Sequence, residues 1–239
     1  MKQFKIFTAT ALVFTLLMSC NNSDNKTATT DSTKTTDSTV ATAPATPTVQ
    51  TSDIVVIKHK VQNFTKWKAA YDSHDSANLA AGLHNFVIGR GVEDSNMVLV
   101  ALRADDTTKA KQFLADKALK AAMQKAGVVS APSMMIVHME RFLNDTVSNR
   151  VIVSHKVKDF TAWKKVFDSH KDTRVNAGLA DRSIGRSIND SNMVTLVFNI
   201  LDMNKAKAFM SSKDLKDRMA ESGVISKPEV LVYHVVNQY

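Results

Sequence analysis

Residues 55–138 return without a gap as residues 151–234, at a constant offset of 96. The first copy reads HKVQNFTKWKAAYDSH from His59, and the second reads HKVKDFTAWKKVFDSH from His155. Ile88-Gly89-Arg90 recurs as Ile184-Gly185-Arg186, and Asp94-Ser95-Asn96-Met97-Val98 recurs as Asp190-Ser191-Asn192-Met193-Val194. Solenoid repeats are shorter and come in sets of three or more. A long unit with a single sister is instead a tandem duplication. The fold must therefore be one small domain used twice.

Each unit parses the same way. Ile54 to Val61 is β-branched and reads as a strand. Asn63, or Asp159 in the second copy, is a helix N-cap residue. Phe64, Trp67, Tyr71 and His74 then follow at 3-4-3 spacing, one apolar helix face that runs on to Gly82. Phe86 to Val92 and Met97 to Leu102 are two strands joined by the Asp94-Ser95-Asn96 turn. A second helix is predicted from Thr108 to Ala126, with a break near Asp116, and Pro132 precedes a last strand, Met134 to Met139. The order is β-α-β-β-α-β. Two right-handed crossovers of this kind give a four-stranded antiparallel sheet with both helices on one face. The other face is left uncovered, and a sister copy can cover it. The expected fold is thus α+β: two tandem ferredoxin-like units, residues 54–143 and 150–239, packed sheet to sheet. Glu140 to Ser148 connect them.

By element order and length, residues 54–239 resemble the ferredoxin-like, dimeric α/β-barrel superfamily, with both halves on one chain as an intramolecular pseudo-dimer. That superfamily includes cofactor-free monooxygenases, haem-degrading and dye-decolourising enzymes and relatives of chlorite dismutase. The resemblance implies a fold and a pocket. It carries over no catalytic residue, because the Asn-Trp-His set of the haem degraders has no counterpart here in order and element.

The N-terminus reads as an address. Lys2 and Lys5 precede an apolar run, Ile6 to Met18, which is too short for a spanning helix of about 20 residues. The run ends in Leu17-Met18-Ser19-Cys20, which resembles the lipobox of bacterial lipoproteins. The resemblance implies a signal peptide over residues 1–19, lipidation of Cys20 with a palmitate-type acyl chain, and anchoring in a bilayer of the cell envelope. Asn21 in place of Asp favours the outer membrane. Residues 20–53 are Thr, Ser, Ala, Asp and Pro and offer little to bury, so a disordered tether is expected. Asp31-Ser32-Thr33 and Asp37-Ser38-Thr39 resemble O-glycosylation acceptor triplets.

Charge and cysteine content narrow the chemistry. The net charge is +8, and the four lysines and four aspartates of residues 1–53 cancel, so the excess sits on the duplicated part. No run of basic residues interleaved with aromatics accompanies it, and nucleic acid is not an expected partner. Cys20 is the single cysteine, which removes disulfides, thiolate clusters and a catalytic thiol from the duplicated region. G-x-S-x-G, Walker, H-E-x-x-H and G-x-G-x-x-G motifs are absent from the sequence.

Six of the seven histidines form three repeat pairs, His59/His155, His74/His170 and His138/His234. His74 and His170 end the aromatic helix stripe and are the candidates for a general base or a haem ligand. The alternative is an imidazole bonded to a backbone carbonyl at the helix end. His59 and His138 lie on the first and last strands. Pairing residue 54 near 141 would bring them within one or two positions of each other, although no acidic residue recurs to complete a metal set. Trp67 and Trp163 are candidate pocket walls, or core anchors. Arg90 and Arg186 are candidates for an anionic ligand, or for ion pairs with Asp94 and Asp190. Three function classes follow. The leading one is a small-molecule binding module, a monomer with no metal and no cofactor. The second is a monooxygenase-like or haem-handling enzyme. The third is a structural, partner-docking envelope protein.

Overall fold

The computed structural model describes residues 50–239. The expected signal peptide, Cys20 and nearly all of the expected tether lie outside that range. The first copy consists of β1 (Gln50–Lys60), α1 (Phe64–Ser73), α2 (Asp75–Ala80), β2 (Leu83–Gly91), β3 (Met97–Ala104), α3 (Thr107–Ala115), α4 (Lys117–Lys125) and β4 (Ser133–Phe142). The second repeats the order as β5 (Asn149–Lys156), α5 (Phe160–Ser169), α6 (Lys171–Asn176), β6 (Leu179–Ser187), β7 (Asp190–Ile200), α7 (Met203–Ser211), α8 (Lys213–Glu221) and β8 (Glu229–Gln238).

Side-chain caps set the helix starts. Asn63 Oδ1 accepts from the Lys66 amide at 3.0 Å, and Asp106 Oδ1 accepts from Thr108 and Lys109. The expected break at Asp116 is present: its carboxylate caps α4 by accepting from the Ala118 amide at 2.8 Å. The first helix also breaks, which the apolar spacing did not foretell. Ser73 Oγ and His74 Nδ1 both donate to the Ala70 carbonyl, at 2.7 and 2.8 Å, and Asp75 opens a new short helix. Side chains that claim a carbonyl of the preceding turn compete with the helix ladder. Ser169 and His170 do the same to the Val166 carbonyl in the second copy.

All eight described strands close into one antiparallel barrel, in the order β1-β3-β2-β8-β5-β7-β6-β4. Within a copy the order is that of the ferredoxin-like unit, and the fold expectation holds. The copies do more than stack faces. β2 pairs with β8 and β4 pairs with β6, so hydrogen-bonded seams remove every free sheet edge. Glycines stand at both seams because the chains approach closely there. A Cβ on Gly185 would lie 2.6 Å from the His138 carbonyl oxygen, and one on Gly89 would lie 2.3 Å from Tyr233 Cδ2.

Three apolar clusters hold the molecule together. Inside the barrel, Ile54, Val56, Leu99 and Val137 of the first copy pack with Ile152, Val197 and Tyr233 of the second. This shared core covers the face that one copy alone would leave in water. Between sheet and helices each copy has its own cluster, around Trp67 in the first and Trp163 in the second. Strand alternation sends Val55, Ile57 and His59 outward to the helices and Ile54, Val56 and Lys58 into the barrel.

Candidate functional site: two cavities between sheet and helices

Each copy leaves a cavity between the outer face of its sheet and its helices. In the first copy it measures about 350 Å³ and is bounded by His59 on β1, Trp67 and Tyr71 on α1, His74, Asn78 on α2 and Asp116. The equivalent space in the second copy measures about 180 Å³, with His155, Trp163, Phe167 and His170 in the matching places. Ligand cavities usually span about 300–1,000 Å³, so the first reaches that range and the second falls short of it.

His59 and His155 are the deepest polar groups of these walls. They are 2% and 4% exposed, and no ring nitrogen of either has a hydrogen-bond partner. Burial pushes each imidazole down to about 4, so both are neutral at physiological pH. Each meets its tryptophan edge-on, with ring centroids 5.5 Å apart for His59–Trp67 and 5.7 Å for His155–Trp163. Trp67 then stacks on Tyr71 at 5.2 Å, and Trp163 on Phe167 at 5.0 Å. Both tryptophans are therefore core anchors and cavity walls at once. Tyr71 donates its hydroxyl to Asn85 Oδ1, whose amide donates to Asp75 at 2.6 Å. Burial, then the charges of Tyr239 and the nearby aspartates, raise the Tyr71 phenol above its ordinary value.

His74 and His170 are fixed in tautomer by their helices. A carbonyl only accepts, so each Nδ1 bonded to one carries the proton and each Nε2 keeps its lone pair. In the first copy His74 lines the cavity. In the second, Arg218 Nη1 donates to His170 Nε2.

The other sequence candidates do not join these sites. His59 and His138 are not brought together. The β1–β4 register sets Asp53 opposite His138 and Ile54 opposite Val137. This is a four-residue slip from the pairing expected, and it leaves six positions, about 20 Å of strand at ~3.3 Å each, between the two histidines. His138 Nδ1 instead donates to Asp53 Oδ1 at 2.8 Å on the exposed rim. His234 sits at the β2–β8 seam opposite Arg90. Among the described residues no group of three potential metal ligands assembles. Arg90 and Arg186 stand over the Phe64 and Phe160 rings, each 4.2 Å from the centroid. Their expected ion pairs with the turn aspartates are not formed. Lys60 and Lys156 take Asp94 and Asp190 at 2.7 and 2.8 Å, while Arg90 Nε donates to the Ser95 carbonyl and Arg186 pairs with Glu140 at 2.6 Å. Lys60 and Lys156 stand opposite Met97 and Met193 on the adjoining strands, within reach of the turn carboxylates.

Sequence reading missed two sets of residues, and both sit where the copies disagree. Arg174 and Arg218 enter the second cavity at the positions of Asn78 and Ala122. Arg150 and Arg182 enter the barrel at the positions of Ile54 and Phe86. A subtraction of one copy from the other would have exposed all four.

This closed arrangement is the fold of the ferredoxin-like dimeric α/β-barrels. Solved structures that share it include an anthrone oxidase-like protein (TM-score 0.56, 12% identity, 79% of this chain and 92% of that one) and a chlorite dismutase candidate, TA0507 (0.51, 15%, 80% and 96%). At such identities the likeness shows the fold. No protein-family description and no curated protein matches the sequence.

Proposed function

We propose that this protein is a lipid-anchored envelope component that binds small, largely apolar molecules in the cavity between sheet and helices, with the first copy as the principal site. One observation carries this reading: the buried His59 faces an aromatic cavity with both ring nitrogens unpaired. Buried polar atoms ordinarily have partners, and one left without costs about 1–3 kcal/mol. A small aromatic alcohol supplies a donor for the bare nitrogen of His59 and a ring for Trp67. With its conjugate acid at about 4, His59 is neutral at physiological pH, so it keeps a lone pair for a donor and abstracts protons poorly, which favours binding over proton-transfer catalysis. Calorimetric titration with 2-naphthol checks the reading. One saturable site is expected, weakened about tenfold, or ~1.4 kcal/mol, by His59→Leu. Absence of binding, or binding indifferent to that change, overturns it.

The anchor rests on Leu17-Met18-Ser19-Cys20 alone. Cys20→Ser is expected to move the protein from the membrane fraction to the soluble fraction on ultracentrifugation. Retention in the membrane fraction would refute lipid anchoring.

The enzyme reading is the second one, and the names of the two fold neighbours stand on its side. His74 speaks for haem, since its Nδ1–H is held by a carbonyl and its Nε2 is the lone-pair nitrogen of a cavity-lining ring. The rest of the wall does not suit that group. None of the residues lining the first cavity is cationic, so haem propionates would lack counter-ions, and the volume is at the small end for a ligand site. In the second copy Arg218 covers the equivalent nitrogen. Haemin titration should therefore leave the Soret band of free haemin unchanged. A shift abolished by His74→Ala would replace the binding reading with this one.

A further inference from the structure

The two cavities occupy equivalent places, yet their polar ends carry different chemistry. The first ends in His74, Asn78 and Asp116. The second ends in His170, Arg174, Arg218 and Ser222. The two arginines are not alike. Arg174 is spent: its Nε and Nη2 form a two-pronged pair with Asp181, both at 2.7 Å, its Nη1 donates to the Phe167 carbonyl at 2.6 Å, and its plane lies 3.7 Å from the Phe167 ring centroid. Asp181 stands at the position of Asn85 in the first copy, so Arg174 has its own counter-charge.

Arg218 is held differently. Its Nε edge faces Asp214, four residues earlier on the exposed side of α8, at 3.1 and 3.0 Å. Its Nη1 reaches inward to the lone pair of His170 Nε2. The side chain is 34% exposed, which puts the guanidinium at the cavity mouth with apolar wall behind it: Val153, Trp163, Phe198, Phe209 and Met210. A carboxylate at the mouth would give the inner edge of this cation an ionic partner, and the arginine–carboxylate pair, with charge on both sides, is among the strongest of hydrogen-bonded contacts. The Nη1 and Nη2 edge of arginine matches the two oxygens of a carboxylate.

We propose that the second copy is specialised for apolar carboxylates, with the carboxylate on Arg218 and the hydrocarbon against Trp163, while the first copy takes neutral molecules. This rests on the reading that the cavities bind ligands, and it adds the ligand class. The division follows from the difference between the copies, Arg218 where the first has Ala122 and Arg174 where it has Asn78: only the second carries a cation at its mouth, and its cavity is about 180 Å³ against about 350 Å³ in the first.

Octanoate and 1-octanol share a chain length and differ in head group. In the full chain carrying Trp67→Phe, Trp163 is the sole tryptophan and reports this cavity. Octanoate is expected to change Trp163 fluorescence with an affinity about tenfold or more above that of 1-octanol, a factor worth ~1.4 kcal/mol. Arg218→Met should remove that advantage and leave 1-octanol binding in place, and Arg218→Lys should restore part of it. In the reciprocal Trp163→Phe chain, Trp67 should report 1-octanol in preference to octanoate. Equal binding of both ligands, or an octanoate preference untouched by Arg218→Met, overturns the carboxylate assignment while the cavity reading stands. If neither ligand moves the fluorescence of either tryptophan, both readings fall.

Discussion

Asp145→Leu should destabilise the protein by about 3–5 kcal/mol, the usual cost of stripping the partner from a buried charge. Asp145 lies on the connector between the copies, between β4 and β5. Its carboxylate faces Arg150 at 3.6 Å, forms an ion pair with Arg182, and accepts from Asn199 Nδ2 at 2.8 Å. Arg150 and Arg182 are 1% and 4% exposed, so the two cations share one acidic partner away from water. Arg150 offsets part of this by donating to the Val147 carbonyl and to Gln238 Oε1, both at 2.8 Å. Desolvation, followed by repulsion from Arg150, pulls the Arg182 guanidinium below its ordinary value. Removal of Asp145 leaves both charges uncompensated.

The first copy shows how to separate a broken pair from a needed one. At the equivalent places it carries Ile54 and Phe86. A triple variant, Asp145→Leu with Arg150→Ile and Arg182→Phe, should recover most of the lost stability, because buried ion pairs replaced by apolar residues of similar volume are often neutral or better. Urea unfolding midpoints measure both variants. A single variant that loses less than about 1 kcal/mol would show that the arginines do not rely on Asp145.

The legibility of this molecule follows from what the repeat does and does not encode. Element order, the shared barrel core and the break at Asp116 were all readable, because β-branched runs, caps and turn residues are local signals that appear twice. Strand register was not. The four-residue slip that parts His59 from His138 depends on how far β1 and β4 extend, and Gln50–Lys60 outran the apolar stretch that announced it. The interruption at His74 was hidden because its cause is a side-chain bond to Ala70, invisible to hydrophobic periodicity. The candidate site was half legible. His74, Trp67 and His59 were picked out as repeat-paired residues, and the structure gathers these three around one cavity. The arginines that distinguish the copies have no matching residue in the first copy, so agreement between the copies does not point to them. In a duplicated protein, fold is written in the agreements and specialisation in the disagreements.

An effect of similar size is expected on acid stability. His59 and His155 ionise at about 4 in the folded protein, against 6.5 for the unperturbed group, and desolvation is the cause in both. Between those values the unfolded chain binds a proton on each histidine that the folded chain refuses. Folding stability is therefore complete above pH 6.5 and falls as pH drops toward 4. At ~1.36 kcal/mol per unit, each histidine removes about 2 kcal/mol between pH 7.5 and 5, and the pair about 4 kcal/mol, a large share of the stability of a domain this size. The second cavity opposes protonation further, since imidazolium at His155 would share it with Arg174 and Arg218, whereas Asp116 lines the first. The double variant His59→Leu, His155→Leu should flatten that acid limb, leaving unfolding midpoints at pH 7.5 and 5 nearly equal. Of the remaining titrating groups, Asp94, Asp106 and Asp190 have carboxyls held below their usual range by hydrogen bonds, so they act only at lower pH. If the wild-type protein keeps its urea midpoint from pH 7.5 to 5, the imidazoles find partners or water in solution, and His59 loses its place as the reader of the cavity.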